Sequence, residues 1–483
     1  MFLFFPKTID DTRVGGACTG SEFRPIDESI IAIQDENKRS TTNAPPFQNS
    51  FDVHYPGGNA MFRILTAAVF AALPLLTTCV AFAQHSRELI FCDPCEPVCK
   101  KSSLWDQVSL YGWVQAGISV NNHGGSNQYT DTEPNGPCWR NLDAFSGNSY
   151  LFMSKLPSNF TVYQTWLGMK KDLDTKHGFD WGFQVDTLFG TDANATQAFG
   201  DQRFDYDWGT GDYHFSFVQL FAEAGYKNLK FRVGKFGPAM VHEALPAPMT
   251  FFHSFSYSCY NTVLTASGAT AEYKLNDRLT VTAGWTTGMH NSFSNRFSDN
   301  GLVGKILFAP ADNVKLAYNV YYGESNGYNK VADAHLFGRD YDTADHVIHT
   351  LICTINLGKQ WLYMIEGGWG NNDYELAGID TRTRCYGINQ HLIYTVNERW
   401  AVGVRAEWSH AEGTMFDMPH LTGGGGTDLY SLTFGMNWTP NAWFILRPEV
   451  RYDWTDYVNG FKPFDNKTQA NQMTAGGSVV VKF

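Results

Sequence analysis

Along residues 110–483 apolar side chains recur at every second position, in short runs broken by turn-forming residues. A period of two is the signature of a strand with one apolar and one polar face. In the last run Met473, Ala475, Gly477, Val479, Val481 and Phe483 share a face, while Gln472, Thr474, Gly476, Ser478 and Lys482 share the other; Val480 is the one misfit. Leu279, Val281, Ala283 and Trp285 repeat the apolar face, and so do Val402, Val404, Ala406 and Trp408. Two further runs follow, Leu432, Phe434, Met436 and Trp438, then Phe444, Leu446, Val450 and Tyr452. Their alternate neighbours are largely Thr, Gly, Arg and Glu.

The connections between runs are of two kinds. Compact turn signals lie near Asp174, Asn228, Asn276, Asp312, Gly358, Asn397 and Pro440, recurring every 35 to 55 residues. Longer segments rich in Gly, Asn, Asp and Ser lie between them, and the two kinds alternate. One strand from Tyr111, two around each short turn and a closing strand at Phe483 give about sixteen. The pattern predicts an all-β fold: a transmembrane antiparallel β-barrel with short periplasmic turns and long external loops, occupying 110–483.

Tryptophans supply a ruler. Trp361 and Trp369 are eight residues apart, as are Trp400 and Trp408, so each pair shares a face. Eight tilted residues rise roughly 20 Å, close to the apolar band of an outer membrane. Trp361, Trp400 and Trp443 also follow short turns directly, and with Trp369, Trp408 and Trp438 they are candidates for interfacial girdles against lipid. The competing reading is the aromatic core of a soluble β-sandwich.

Composition changes the picture in three places. Charged residues are 17%, aromatics 15%, glycines number 45, and mean hydropathy is -0.28, which fits half-polar walls and not a bundle of apolar helices. A net charge of -12 without a basic run excludes nucleic acid as a partner. Residues 61–83 form a signal-peptide pattern, with Arg63, an apolar core and Ala81-Phe82-Ala83, so that a mature chain is expected to start near Gln84; a membrane anchor over Leu65 to Ala83 is the alternative. On that reading 1–60 is a non-native extension from an early start, and 84–109 is a periplasmic segment carrying cysteines. Of nine cysteines seven remain after Gln84; Cys92, Cys95 and Cys99 read better as disulfide than as metal ligands, and Cys138 and Cys259 could pair.

A barrel of this size is too wide for its own side chains to fill, so inward residues become pore lining unless something plugs it. The inward parity carries Lys230, Arg232, Glu272, Lys274, Arg405, Glu407, Arg447, Glu449, Arg451 and Asp453. Alternating signs could set a transverse field that selects solutes, or could pair across strands and stiffen the wall. Replacing Arg447 and Arg451 by Glu is expected to shift selectivity toward cations if they line the pore. The third long connection, 237–261, has three prolines and is aromatic where the others are Gly-rich, which predicts an ordered segment folded inward; His242, Glu243, His253 and Tyr257 are candidates for a constriction. No metal site and no cofactor is expected: the histidines have no metal-motif spacing, and no G-x-S-x-G, H-E-x-x-H or P-loop occurs. Asp345-His346 and His349 cannot form a triad in a strand, where the two histidines point to opposite faces.

Residues 111–128 (YGWVQAGISVNNHGGSNQ), 231–258 (FRVGKFGPAMVHEALPAPMTFFHSFSYS) and the terminal Phe483 together resemble the β-barrel porins of the OmpL-like type, a match spanning Leu110 to Phe483. Gly112-Trp113, Glu243, Phe251-Phe252 and Ser254-Phe255-Ser256-Tyr257 occupy the family's positions, although Phe255 stands where a basic residue is expected. The resemblance implies an outer-membrane location and passive transport, with Phe483 as a signal for the outer-membrane assembly machinery. The expected function is a porin passing small hydrophilic solutes or ions, not an enzyme, with membrane lipid around it and a homotrimer open to it as an assembly. The alternatives are an enzyme built on a barrel and a secreted carbohydrate-binding protein or adhesin.

Overall fold

The computed structural model describes residues 107–123, 159–198 and, apart from parts of the connections, 204–483. Two units are present, Met1–Val98 and Cys99–Phe483, and every described residue belongs to the second. The expectations for 1–60, 61–83 and most of 84–109, with Cys92, Cys95, Cys99 and Cys138, therefore lie outside the described residues.

Sixteen strands form the wall: β1 (Val108–Asn121), β2 (Thr161–Lys171), β3 (Phe179–Gly190), β4 (Tyr213–Tyr226), β5 (Leu229–Phe236), β6 (Ala266–Asn276), β7 (Leu279–Thr286) and β8 (Gly301–Ala311). They continue with β9 (Val314–Glu324), β10 (Ala344–Leu357), β11 (Trp361–Leu376), β12 (Ile379–Asn397), β13 (Trp400–Ala411), β14 (Thr427–Asn441), β15 (Phe444–Asp456) and β16 (Asn471–Lys482). Each pairs antiparallel with the next, and β16 pairs with β1, so the sheet closes. A two-residue strand, Gly209–Thr210, adds a short hairpin onto β4. Closure satisfies every wall strand's backbone through its neighbours, as hydrocarbon requires. At the seam Gly112 N–H donates to Phe483 C=O at 3.2 Å and Phe483 N–H donates back to Gly112 C=O at 3.0 Å.

The predicted faces hold. Trp400 pairs with Trp438, Val402 with Met436, Val404 with Phe434, Ala406 with Leu432 and Trp408 with Tyr430, one continuous outward surface across β13 and β14. Val480, the misfit, points inward and is fully buried beside Trp113 and Trp166, whose rings stack at 4.6 Å inside the wall. All seven short turns fall where the turn residues place them. The expected alternation of short turns with long connections fails at one place: β11 and β12 run 16 and 19 residues, leaving only 377–378 between them. Their polar, glycine-spaced outer portions, from Gly370-Asn371-Asn372 onward, prolong the ladder instead of opening a loop.

Candidate functional site

The third connection, 237–265, leaves the end of β5 and runs inside the barrel. Pro238, Pro246 and Pro248 deny it a ladder, since proline lacks an N–H, and it folds into turns that include two short 3₁₀ pieces, Ala247–Met249 and Tyr257–Asn261. Buried turns leave backbone donors and acceptors that need partners. Inward side chains of the wall provide them.

Carboxylates meet the N–H groups and guanidinium groups meet the carbonyls. His242 N donates to Glu366 at 2.8 Å, His253 N to Glu449 at 2.8 Å, and Tyr257 N to Glu407 at 2.6 Å. Ser254 donates to Glu449 through both its N–H and its hydroxyl. In the other sense Arg447 donates to Ala247 C=O at 2.9 Å, Arg405 to Ser254 C=O at 2.6 Å, and Arg451 to Phe255 C=O at 2.7 Å. The amide of Gln164 on β2 grips the middle, donating to Leu245 C=O and accepting from Ala247 N. On the far wall Asn319 and Thr350 donate to Met240 C=O. The segment is thereby tied to β2, β9, β10, β11, β13 and β15.

The register explains how strands deliver these groups. Arg405 lies opposite Thr433, which lies opposite Arg451; Glu407 lies opposite Ser431, and Ser431 opposite Asp453. Alternation along β13 and β15 sets acid and base side by side on the inner face. Arg405 is 2.9 Å from Glu407, and Arg451 2.8 Å from Asp453. Room for the segment's rings comes from two inward glycines: a Cβ at Gly403 would fall 2.5 Å from the Phe251 ring, and one at Gly435 2.8 Å from that of Phe252. The Arg405 guanidinium lies 4.9 Å over the Phe252 ring, and that of Arg451 4.8 Å over Tyr257.

Glu243 is the hub within the segment. Burial alone would raise its pKa, but Arg405 at 2.7 Å, His391 at 3.7 Å and the Ser256 N–H hold it down, at about 2. Burial lowers His242 below its ordinary value against the pull of Glu243, and lowers His253, with Arg447 adding to it, to about 3. Tyr257 is pushed well above the phenolic range by burial and Asp453, to which its hydroxyl donates at 2.5 Å.

The candidate residues thus fall in two groups. Arg405, Glu407, Arg447, Glu449, Arg451 and Asp453 point inward and are buried beneath the third connection, with His242, Glu243, His253 and Tyr257 in or beside the same network. Lys230, Arg232, Glu272 and Lys274 are not brought to it. Lys230 pairs with Glu272 at 3.2 Å and Arg232 with Glu223 at 3.1 Å, with side chains 44% and 39% exposed for the two cations, and Lys274 pairs with Asp277 beside a turn. Outside, Trp361, Trp400, Trp438 and Trp443 sit at the short-turn end, with Trp400 stacked on Trp438 at 5.7 Å, while Trp369 and Trp408 sit toward the other end. Among the described residues no disulfide forms: Cys259 is a buried thiol, and Cys353 and Cys385 are unbridged as well. Among the described residues no group of His, Cys, Asp and Glu is arranged to hold a metal ion.

Sequence reading missed Gln164, Asn319, Thr350, Glu366 and His391. Each lies on the inward parity of its strand, a detectable signal, but what they bind is a segment remote in sequence. Phe255, where a basic residue was expected, presents its carbonyl to Arg451, so the wall supplies the cation.

No curated protein matches the chain. Among solved structures, DcaP of Acinetobacter baumannii is 12% identical, with 78% of this chain and 97% of that one covered at a TM-score of 0.49. The anion-selective porin of Comamonas acidovorans is 12% identical over 78% and 99% at 0.48, and OprB of Pseudomonas putida 13% identical over 79% and 95% at 0.46. The family model described as "Putative beta-barrel porin-2, OmpL-like" matches residues 107–483, and to that porin family the chain belongs.

Proposed function

We propose that the chain is an outer-membrane channel for the passive diffusion of small hydrophilic solutes, narrowed by residues 237–261. The observation that carries this reading is the third connection itself, tied by charged side chains to the inner wall in place of lying outside it. A segment held there reduces the lumen without a covalent step, and no residue is required to do chemistry. Export through 61–83, assembly through Phe483 and the tryptophan girdles belong to the same reading.

Which charges a passing ion would meet follows from burial. Arg405, Arg447 and Arg451 are at most 2% exposed and committed to the third connection, so their field is largely compensated. Lys230, Arg232, Glu223 and Glu272 on β4 to β6 are in contact with solvent and are the better candidates for selectivity. Reconstitution into a planar bilayer is expected to give stepwise conductance. Lys230→Glu with Arg232→Glu should move the reversal potential toward cations. Silence from correctly folded protein would overturn the channel and favour a barrel-based enzyme or a secreted adhesin.

A further inference from the structure

Where the Tyr257–Asn261 turn meets the wall, a small cavity lies between the third connection and strands β10 to β13, lined among others by Ser258, Glu366, Asn389, Glu407 and Ser409. It has room for about one water-sized guest. Its polar atoms divide into committed and uncommitted ones. Glu407 accepts from Tyr257 N and from Ser431 and faces Arg405. Glu366 Oε2 accepts from His242 N and the Ser258 side chain stands beside the carboxylate, but Glu366 Oε1 makes no bond of hydrogen-bonding geometry; neither do Asn389 Oδ1 and Nδ2, nor Ser409 Oγ. All three residues are at least 97% buried. Glu366 and Asn389 are directly opposed across β11 and β12, and Asn389 and Glu407 across β12 and β13, so these groups stand side by side on the inner face.

Unpartnered buried polar atoms are rare because each costs about 1–3 kcal/mol, and several converging on one cavity point to something that occupies it. The charge balance says what kind of occupant. On this inner wall and the segment it holds, three guanidinium groups, Arg405, Arg447 and Arg451, face five carboxyl groups, Glu243, Glu366, Glu407, Glu449 and Asp453. The arginines bond to Glu243, Glu407, Asp453 and the backbone of the third connection; none bonds to Glu366. The donor set is one free carboxylate oxygen with an amide and a hydroxyl oxygen. One carboxylate beside two neutral oxygens supplies a single negative charge, which a monovalent ion balances, whereas calcium and magnesium sites draw on more anionic oxygen than this.

We infer that this cavity binds a single monovalent cation of about the size of potassium or ammonium, held by Glu366 Oε1, Asn389 Oδ1 and Ser409 Oγ. The ion compensates the Glu366 carboxylate and fastens the Tyr257–Asn261 turn to β11, β12 and β13. The site depends on the fold alone and stands whether or not solutes pass through the lumen.

Two measurements on the full barrel in detergent test it. Crystals grown in thallium(I) acetate should show an anomalous peak between Glu366, Asn389 and Ser409, and density no stronger than water there would overturn the site. In solution, an ion that binds only the folded state raises the unfolding midpoint with the logarithm of its concentration once it exceeds Kd. The midpoint should therefore climb with KCl relative to N-methyl-D-glucamine chloride at equal ionic strength, and Glu366→Gln and Asn389→Ala should each abolish the difference while remaining folded by gel shift. Equal midpoints in the two salts for the unaltered protein, or a salt difference that survives both substitutions, would overturn the inference. Bilayer silence combined with a thallium peak would defeat the channel reading and leave the cation site intact.

Discussion

At the residue scale, the barrel interior turns on a few groups whose charge is decided by burial. Asp192, in the 3₁₀ turn Thr191–Thr196, is 2% exposed and accepts from Gln164 at 2.8 Å, the same side chain that grips Leu245 and Ala247. Burial pushes its pKa up to about 7, against Gln164, Thr191 and Arg447, which pull it down. A raised acid pKa means that the folded state holds a proton the unfolded chain has released. Stability is thus lost as pH rises from about 4, the unfolded value, through about 7, and stays lower above it. The barrel should unfold at a higher denaturant concentration at pH 5 than at pH 8. Asp192→Asn should remove that part of the difference; identical pH dependence in variant and wild type would refute the assignment. Glu243 works in the opposite sense, its contribution being present above the ordinary Glu value and lost only as pH falls toward about 2. Neither role could be read in the sequence. Asp192 looks like any loop aspartate until the turn around it is seen to fold inward, and the parity that placed Arg405 and Glu449 on the inner face says nothing about what covers them.

At the scale of elements, the wall was legible and its occupant only partly so. Alternation fixes each strand's faces locally, and so the turns, the strand number and the Trp400, Val402, Val404 face follow from short-range pattern. The third connection was identified as inward-folding from its prolines and aromatics, because those residues neither build a ladder nor favour solvent. Its docking is different in kind: Glu243 meets Arg405 across 162 residues, and Ser254 meets Glu449 across 195. No local period encodes such a contact. This changes what substitutions in the ladder test. Arg447 and Arg451 hold backbone carbonyls, so their exchange for Glu would place carboxylates against carbonyl oxygens and release the segment before it altered any selectivity. Removing one partner of a buried, hydrogen-bonded charge costs about 3–5 kcal/mol. Arg405→Ala should therefore detach the segment's centre and give larger, noisier single-channel steps, with proteolytic cleavage appearing within 237–265. Gly403→Val should do the same in milder form by displacing Phe251. Unchanged conductance in a folded Arg405→Ala barrel would mean that the segment does not set the narrowest point.

At the scale of the whole molecule, one junction distinguishes a cylinder from a sheet with two open edges. Fifteen of the sixteen strand pairs join neighbours in sequence, whereas β1 and β16 are brought together from opposite ends of the barrel segment, with Trp113 opposite Lys482 and Asn121 opposite Thr474. Such a contact comes at the largest loop-closure cost and is expected to form late. Two features concentrate there. The mutual backbone bonds of Gly112 and Phe483 extend the ladder one residue past Lys482, and inside the seam Val480 seats against the buried Trp113 and Trp166 pair. An edge left open in hydrocarbon exposes a row of unpaired N–H and C=O groups, each costing several kcal/mol. A chain lacking Phe483 should consequently refold into detergent micelles more slowly and in lower yield, seen as a smaller fraction with the compact mobility of folded barrel on an unheated gel. Phe483→Trp keeps the backbone pair and an outward aromatic and should refold nearly as the wild type does. Val480→Asp, by contrast, buries an unpaired carboxylate beside the stacked tryptophans and should impair closure although its backbone bonds are intact. Equal refolding by all four chains would show that closure is driven from elsewhere in the wall, with the seam only following.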